Sequence, residues 1–291
     1  MNFKKTLLAL AVTAGVTVTG TANAGFVDVV TIVDESGSMG GEHAWIGGMI
    51  SGLDASLTGL ATPIGANNYG LVGFGGHVTG QVAHQHDVGG AASEFGTAAE
   101  FGTAAGTLVT SGGFEDGYDG IDKANGYSFR AGAARNYILV TDEDRDVGAT
   151  SPSKAAILSS LTGTKTLLNA VVSATFRCGD GSTSALGLAG GGIGYVADGS
   201  GGFTTCTGAT AISGFGTTIV DYVDLALATG GAAWDLNFLR AGGLNADSFT
   251  KAFIDIKVSE ITIQVDEVPE PTTLALLGLG LAGLGVSRKR G

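Results

Sequence analysis

The sequence is short of positive charge and of charged residues in general, and each shortage excludes a class of protein. Only 15 of its 291 residues are lysine or arginine, against 27 aspartates and glutamates. Because nucleic acid binding is driven by basic groups, this balance excludes nucleic acid as a natural partner. A chain with 51 glycines and 14% charged residues invites comparison with disordered proteins, but 44% hydrophobic residues in periodic runs are typical of a globular protein.

The N-terminal segment has the three parts of a secretory signal peptide. Lys4 and Lys5 form a basic region, an apolar run follows, and Ala22-Asn23-Ala24 is a small-residue cleavage site. Threonines and glycines interrupt the apolar run, so an N-terminal membrane span is the less favoured alternative. We therefore expect signal peptidase to remove residues 1–24 and residues 25–267 to form the exported domain.

Residues 268–291 combine a proline-containing motif, an apolar stretch and a basic end. The motif is Pro269-Glu270-Pro271, residues 272–287 are almost free of charge, and Arg288-Lys289-Arg290 follows. This arrangement resembles the PEP-CTERM sorting signal of Gram-negative bacteria, which implies recognition by an exosortase, a membrane protease. Because a bilayer span usually needs about 20 apolar residues, the stretch is predicted to be a transient membrane segment, with a permanent transmembrane helix as the alternative.

Cysteine is scarce as well, since Cys178 and Cys206 are the only two in the sequence. In an exported protein an even pair is most simply a disulfide, here closing a Gly-rich loop and contributing roughly 3 to 4 kcal/mol on the loop-entropy estimate. Metal ligation by two lone cysteines is the less favoured alternative. The sequence therefore predicts a disulfide-closed insertion at about residues 178–213.

The stretch VDVVTIVDESGSMG, residues 27–40, joins a β-branched apolar run to a cluster of turn-forming residues. The run favours a strand and the cluster ends it. Asp34, Ser36 and Ser38 are thus predicted to lie at the carboxyl end of the strand, where open α/β sheets bind ligands. Alternating oxygen-bearing side chains suit a small hard cation. The alternative is an ordinary turn formed by Asp34 and Ser36, with Ser38 as a helix cap.

The pentapeptide Asp34-Glu35-Ser36-Gly37-Ser38 resembles the start of the metal-ion-dependent adhesion site in von Willebrand factor type A domains. Two later stretches resemble the other loops of that site. In FEDGYDGI (114–121), Glu115 falls where integrin β-subunit versions have Glu, and Thr141-Asp142-Glu143 matches Thr-Asp-Gly with Glu143 in place of glycine. The order and the flanks of the three stretches together greatly weaken the alternative of simple turns.

The resemblance implies that Mg²⁺, or else Mn²⁺ or Ca²⁺, binds to oxygen ligands from these three loops. The predicted ligands and their supporting residues are Asp34, Ser36, Ser38, Glu115 and Asp142. Integrin-type domains carry an adjacent metal site that uses two acidic residues just past Ser-x-Ser. Gly41 and Glu42 stand at those positions here, so half of the ligands are missing and no adjacent site is predicted.

Strand-like and helix-like stretches alternate along the rest of the chain. Strands separated by helices of ten or more residues predict a doubly wound α/β fold, with a mostly parallel sheet flanked by helices and right-handed crossovers. The late helix, Gly-Gly turn and strand also resemble those of type A domains. Predicted helices cover residues 42–60, 153–161, 216–229 and 246–261, and predicted strands cover residues 68–74, 135–140, 166–176 and 233–239.

Two smaller patterns carry weaker expectations. His84 and His86 alternate along a predicted edge strand, where alternating histidines usually form a solvated face; a second metal site that includes His77 is the alternative. The duplicated sequence EFGTAA, residues 94–99 and 100–105, is predicted to lie inside one helix, because a period of six fits neither a coiled coil nor a solenoid.

The leading hypothesis is an exported, metal-dependent adhesion protein at the cell surface, outer membrane or extracellular matrix of a Gram-negative bacterium. Without the five basic residues of the two ends, 10 basic residues face 27 acidic ones, a net charge of about −17. A bound cation would let so acidic a domain hold an acidic group of a protein or of an anionic exopolysaccharide. The alternative is a structural matrix component in which the metal only stabilises the fold.

An enzyme is not predicted. A hydrolase nucleophile elbow needs Gly-x-Ser-x-Gly, but the residue two before Ser38 is Ser36. His43 lies near both serines in sequence, yet a histidine at the start of a helix is usually solvated. A hydroxyl-rich metal site with no adjacent base also argues against activation of water by the metal.

Overall fold

The centre of the structure is β1 (Val27–Asp34), a strand in which all eight residues are buried. This computed structural model describes residues 25–77 and 80–267. The predicted signal peptide (1–24) and the motif Pro269-Glu270-Pro271 lie outside the described residues. Burial on both faces explains why β1 is a continuous apolar run rather than an alternating one, as expected for a strand inside a parallel sheet.

The strands of the described residues belong to one large sheet and one small antiparallel sheet. In chain order, those after β1 are β2 (Asn68–Phe74), β3 (His84–His86), β4 (Phe95–Gly96), β5 (Ala134–Thr141), β6 (Leu167–Val172), β7 (Ala174–Arg177), β8 (Ser184–Ala185), β9 (Gly187–Ala189), β10 (Ile193–Ala197), β11 (Phe203–Cys206), β12 (Thr210–Gly214) and β13 (Ala232–Asp235).

The large sheet has the order β11-β10-β9-β13-β6-β5-β1-β2-β3, with β4 also paired to β2. The five strands from β13 to β2 run parallel to one another. Antiparallel strands extend this parallel centre at both edges. The predicted mostly parallel sheet is therefore confirmed.

Helices cover both faces of the sheet. On one face Met49 and Phe253 belong to the buried core, and on the other Ile121 and Leu161 do so. A π-helical turn at residues 219–223 runs directly into the fifth helix. The helices are α1 (Gly40–Thr58), α2 (Ala98–Ala105), α3 (Gly117–Asn125), α4 (Lys154–Gly163), α5 (Asp224–Ala228), α6 (Leu236–Arg240) and α7 (Gly243–Glu267).

Two predicted strands end earlier than expected. The predicted strand 166–176 is divided at Ser173 into β6, in the large sheet, and β7, in the small one. The predicted strand 233–239 ends at Asp235, whose carboxylate accepts a hydrogen bond from the Asn237 backbone N–H at 3.0 Å and caps α6. An aspartate in an N-cap position satisfies a free helical N–H, and this outweighs the apolar character of the residues that follow.

The duplicated sequence EFGTAA does not lie inside one helix. Phe95 of the first copy is in β4, while Phe101 of the second copy is buried in α2. Thr97 begins α2 with a capping box, because its side chain accepts from the Glu100 N–H while the Glu100 carboxylate accepts from the Thr97 N–H at 2.7 Å. The cap divides the repeat into a strand and a helix.

The two copies supply a matched test of this cap. Thr97→Ala is expected to lower the free energy of unfolding by about 1 kcal/mol, because it removes the side-chain hydrogen bond that caps the Glu100 N–H. Thr103, the equivalent residue of the second copy, is exposed in the interior of α2, where alanine is the better helix former. Thr103→Ala should therefore be neutral or slightly stabilising in urea unfolding, and equal losses in both variants would contradict the role of the cap.

The predicted disulfide between Cys178 and Cys206 is present. The chain between them forms β8 to β11, and β9, β10 and β11 extend the large sheet beside β13. The insertion is thus a structured addition to the sheet rather than an irregular Gly-rich loop.

Within residues 25–77 and 80–267, no helix is both long and apolar enough to cross a membrane. The predicted hydrophobic segment 272–287 lies outside this part of the chain.

Candidate metal centre

The predicted site lies at the carboxyl end of the parallel strands. Val33 of β1 pairs with Val140 of β5, so the loops that follow the two strands leave the sheet side by side. Asp34 closes β1 and Asp142 directly follows β5. The parallel register therefore brings together the first and third predicted loops, which are about 100 residues apart in sequence.

Internal hydrogen bonds fix the first loop. One oxygen of the Asp34 carboxylate accepts from the Ser36 backbone N–H at 2.7 Å, and the other accepts from the Thr141 hydroxyl at 2.8 Å. The hydroxyls of Ser36 and Ser38 lie 3.1 Å apart. Asp34 is therefore oriented by its neighbours, and the two serine oxygens are adjacent.

The third loop contacts the first through Asp142. Its carboxylate accepts from the Ser38 hydroxyl at 2.9 Å. Glu143, which replaces the family glycine, does not adopt a positive φ, and its N–H donates to the Thr141 hydroxyl at 3.4 Å. The turn thus forms with a backbone conformation that any residue adopts.

The second loop supplies Glu115, which is 3% exposed. The next residue, Asp116, caps α3 by accepting from the Tyr118 N–H at 3.0 Å and pairs with Arg145 at 2.6 Å. Asp116 thereby takes the ordinary acidic role at the start of a helix and leaves Glu115 for the site. The Glu115 N–H in turn donates to the Asp146 carboxylate at 3.1 Å, which joins the second loop to the third.

Gly75 lets two of the carboxylates approach each other. It has a φ of +79°, and a Cβ atom there would lie 3.2 Å from an Asp34 carboxylate oxygen and 3.3 Å from Glu115 Cγ. A side chain would therefore crowd both groups, and the backbone conformation itself favours glycine. Gly75, just past the end of β2, is a site residue that the motif comparison did not identify.

The electrostatics of the site favour neutralisation by a cation. Burial raises the pKa of Asp34 to about 6, although hydrogen bonds from Ser36 and Thr141 oppose the shift. Burial and the charges of Asp34, Glu143 and Asp142 raise the pKa of Glu115 to about 8, against a hydrogen bond from Ser36. Carboxylates that repel one another in a buried site would be stabilised by a bound cation.

Arg240 at the end of α6 is the basic residue of this site, and sequence analysis did not identify it. Its guanidinium donates to the Asp142 carboxylate at 2.8 Å and forms an ion pair with Glu42, which is only 2% exposed. Arg240 reaches the site from about 100 residues beyond Asp142, and no local motif marks it. Its positive charge balances that of Glu42, which stands at one of the two acidic positions of the adjacent metal site in integrin-type domains.

The structure thus brings all five predicted side chains together at the carboxyl ends of the parallel strands. The donors are hydroxyl and carboxylate oxygens, which suit Mg²⁺, Mn²⁺ or Ca²⁺ better than softer metals. The residues present therefore fit the cation that the resemblance implies. Those residues are Asp34, Ser36, Ser38, Glu115 and Asp142.

Comparison with known families places a sorting motif at the end of the chain. Residues 267–290 match the PEP-CTERM protein-sorting motif. This motif marks an exported protein and implies processing by an exosortase. No curated protein matches the chain.

Several solved structures are similar to part of the chain at low identity. Zinc-occupied proximal thread matrix protein 1 from the mussel byssus has 16% identity and a TM-score of 0.37, over 51% of this chain and 36% of that one. The von Willebrand factor type A protein from Catenulispora acidiphila has 17% identity and a TM-score of 0.36, over 51% and 33%. The pilus adhesin SpaC from Lactobacillus rhamnosus GG has 13% identity and a TM-score of 0.45, over 82% and 30%.

The chain spans only about a third of the length of each of these three structures. The resemblance of the C-terminal residues to a sorting signal recurs in the family comparison. The chain therefore carries a PEP-CTERM protein-sorting motif behind a mixed α/β domain, in which the Asp34-Glu35-Ser36-Gly37-Ser38 loop resembles that of von Willebrand factor type A domains.

Proposed function

We propose that the protein is an exported binding protein that holds an acidic partner through a divalent cation. The observation that carries this proposal is the convergence of five oxygen-bearing side chains from three loops on one edge of the sheet, where their buried carboxylates repel one another. Such a cluster is expected to take up a hard dication. The cation is Mg²⁺ in the leading version of the proposal, with Mn²⁺ or Ca²⁺ as alternatives.

The residues divide into ligands and supports. Ser36, Ser38 and Glu115 would hold the cation, while Asp34 and Asp142, already fixed by hydrogen bonds, would orient the serines. When bound, the cation supplies positive charge for an acidic oxygen of the partner. The serine hydroxyls would coordinate the ion, and the carboxylates would neutralise its charge.

The surroundings of the serines favour binding over catalysis. The Nε2 atom of His43 lies 2.8 Å from the backbone carbonyl oxygen of Asp34, and its Nδ1 atom has no hydrogen-bond partner among the described residues. Neither ring nitrogen therefore hydrogen-bonds to the hydroxyl of Ser36 or Ser38. General base catalysis requires a proton acceptor within hydrogen-bond reach of the reacting group. A non-catalytic role is therefore the more consistent proposal.

The charge of the protein indicates the class of partner. A chain with a formal net charge of −12 repels anionic molecules, and a cation at its surface would provide a specific point of attachment. We propose a carboxylate of an extracellular protein or an anionic exopolysaccharide as the partner, at the cell surface or in the matrix of a Gram-negative bacterium.

Calorimetric titration of Mg²⁺ and Mn²⁺ into the purified, chelator-treated protein tests the proposal. The wild-type protein is expected to bind one cation saturably, and Glu115→Ala should weaken this binding by at least about 100-fold, because a ligand carboxylate contributes more than the outer-shell partners that cost 10–100-fold when removed. Asp122→Asn, on the exposed surface of α3, is the matched control and should bind as the wild type does.

Adhesion to acidic polysaccharide is then measured with the same three proteins, with and without chelator. Loss of adhesion in Glu115→Ala and in chelator would support the proposal. Retained affinity of Glu115→Ala for matrix material would instead favour a structural matrix component in which the metal only stabilises the fold.

A further inference from the structure

A second cluster of metal-binding side chains lies beside β1. Glu35 stands between Asp34 and Ser36 in sequence, but its carboxylate lies against the edge strand β3 and contacts His84 and His86. The Glu35 side chain is only 1% exposed, and the two histidine side chains are 21% and 12% exposed. The alternating histidines therefore do not form the solvated face that the sequence predicted.

Two nitrogen–oxygen distances in this cluster are close to those between ligand atoms of a tetrahedral metal site. His84 Nε2 lies 3.1 Å from one Glu35 carboxylate oxygen, and His86 Nε2 lies 3.3 Å from the other. Ligand atoms about 2.0–2.1 Å from a tetrahedral zinc ion are roughly 3.3 Å apart. One ligand atom from each of the three residues can be chosen so that all lie within 4.8 Å of one another.

The Nδ1 atom of each histidine lies near an oxygen atom, as is common for histidines that bind a metal through Nε2. His84 Nδ1 lies 3.3 Å from the Val82 carbonyl oxygen, and His86 Nδ1 lies 3.4 Å from the Thr107 hydroxyl. An oxygen that accepts a hydrogen bond from Nδ1–H leaves the Nε2 lone pair free for a metal. Glu35 is held as well, because the Val109 backbone N–H donates to its carboxylate at 2.9 Å.

Two buried polar atoms at the centre of the cluster lack a hydrogen bond in the part of the chain that the structure describes. Within the described residues, Glu35 Oε2 and His86 Nε2 are buried and make no hydrogen bond, although each lies at ion-pair distance from a group of the cluster. Buried polar groups in this state are rare and require an explanation. A bound cation between the two atoms would satisfy both.

The strand behind the cluster leaves room for it. A Cβ atom at Gly73 of β2 would lie 2.2 Å from Glu35 Oε2 and 2.8 Å from His84 Cε1. Any other residue at this position would displace the carboxylate and the imidazole. Gly73 is therefore the position in β2 that permits the cluster to form.

From these contacts we propose that Glu35, His84 and His86 bind a transition-metal dication of the zinc type. Two imidazole nitrogens and one carboxylate oxygen suit Zn²⁺, whereas the all-oxygen centre at Ser36 and Ser38 suits harder ions. Three protein ligands would leave the fourth position of a tetrahedral ion to water or to another ligand. The site uses none of the five residues of the candidate metal centre, so it stands independently of the proposed function.

The test is a titration of the purified, chelator-treated protein with Zn²⁺ in competition with a chromophoric chelator, together with the visible absorption of the Co²⁺ form. We expect one tight Zn²⁺ and a tetrahedral Co²⁺ spectrum in the wild type. Both should persist in Glu115→Ala, which removes the other centre, and in His77→Ala, an exposed neighbouring histidine. His84→Gln and His86→Gln should each weaken Zn²⁺ binding by at least about 100-fold, more than the loss of an outer-shell partner.

Glutamine still donates a hydrogen bond to Glu35 but is a poor zinc ligand, so these variants separate a metal site from an ion pair. Circular dichroism confirms that each variant is folded before the titration. Unchanged Zn²⁺ affinity in folded His84→Gln and His86→Gln would overturn the proposal, as would a Co²⁺ spectrum that disappears only in Glu115→Ala. Absence of Zn²⁺ binding in the wild type would assign the cluster to a histidine–glutamate ion pair and would also overturn it.

Discussion

Glu260→Ala is expected to lower the free energy of unfolding by about 3 to 5 kcal/mol, because it leaves a buried ammonium group without a partner. Lys257 of α7 is fully buried, and its Nζ atom lies 3.2 Å from the Glu260 carboxylate. Burial lowers the pKa of Lys257, while Glu260 acts in the opposite direction. Removing the carboxylate leaves the burial without that compensation.

Glu260 also joins α7 to the sheet. Its carboxylate accepts from the Asn169 side-chain amide at 2.7 Å, and the Asn169 carbonyl accepts from the Trp234 indole at 2.9 Å. The chain of hydrogen bonds connects α7 with β6 and β13. Loss of one member therefore leaves further buried polar groups unsatisfied.

Lys257→Met is the matched control. Methionine fills a similar volume without a charge, and the partly exposed Glu260 keeps its bond to Asn169. Removing one partner of an ion pair costs most when the charge left behind is fully buried. Glu260 stays partly exposed and hydrogen-bonded, so Lys257→Met should cost clearly less than Glu260→Ala. Urea unfolding of both variants measures the contrast, and similar losses in both would show that packing, rather than charge pairing, dominates at this position.

The second large effect is a loss of stability with rising pH in the metal-free protein. The folded state raises the pKa of Asp34 to about 6 and that of Glu115 to about 8, mainly through burial. Between about pH 4 and pH 8 the folded protein therefore binds more protons than the unfolded chain, whose carboxyls have ordinary pKa values near 4. The free energy of unfolding should fall by several kcal/mol as the pH rises through this range, since each unit of pKa shift corresponds to about 1.4 kcal/mol.

Urea unfolding at about pH 5 and about pH 8, with and without Mg²⁺, measures this effect. Saturating Mg²⁺ should remove most of the loss, because the cation stabilises the ionised carboxylates. Glu115→Gln should flatten the pH dependence, while Asp122→Asn should keep the wild-type slope. A wild-type slope that neither Mg²⁺ nor Glu115→Gln changes would contradict this origin.

The central strands were predictable because local sequence and tertiary position agree. β2 covers Asn68–Phe74, the stretch that the sequence predicts. β1 is a β-branched run that only a buried parallel strand accommodates well. The three loops of the candidate centre were predictable for a related reason, since each directly follows a strand or begins a helix and carries its own motif.

Other features depend on partners that are distant in sequence. Nothing near Arg240 indicates that it pairs with Asp142 and Glu42, because the contact exists only when α6 lies beside the first and third loops. The histidines of β3 have the spacing of a solvated edge strand, and only the fold places Glu35 against them. Such contacts cannot be predicted from the spacing of residues in the sequence.

Identical local sequences also adopt different structures here. The two EFGTAA copies have the same intrinsic propensities, yet Phe95 and Gly96 of the first copy pair with β2, whereas the equivalent residues of the second copy lie inside α2. The first copy is drawn into the sheet by pairing of Phe95 with Gly70. Tertiary pairing therefore overrides local preference at this point.

Helix α7 connects the part of the domain beside the candidate metal centre to the opposite ends of the parallel strands. The helix begins three residues after Arg240, which lies beside the candidate centre, and it ends where Gln264 donates to the backbone carbonyls of Arg135 and Lys165, at the opposite edge of the sheet. Its 25 residues span about 37 Å. Because residues 267–290 match the PEP-CTERM motif, the sorting signal is joined to the domain at the end opposite the candidate metal centre, and its processing there would leave the predicted metal ligands uncovered by that signal's own attachment point.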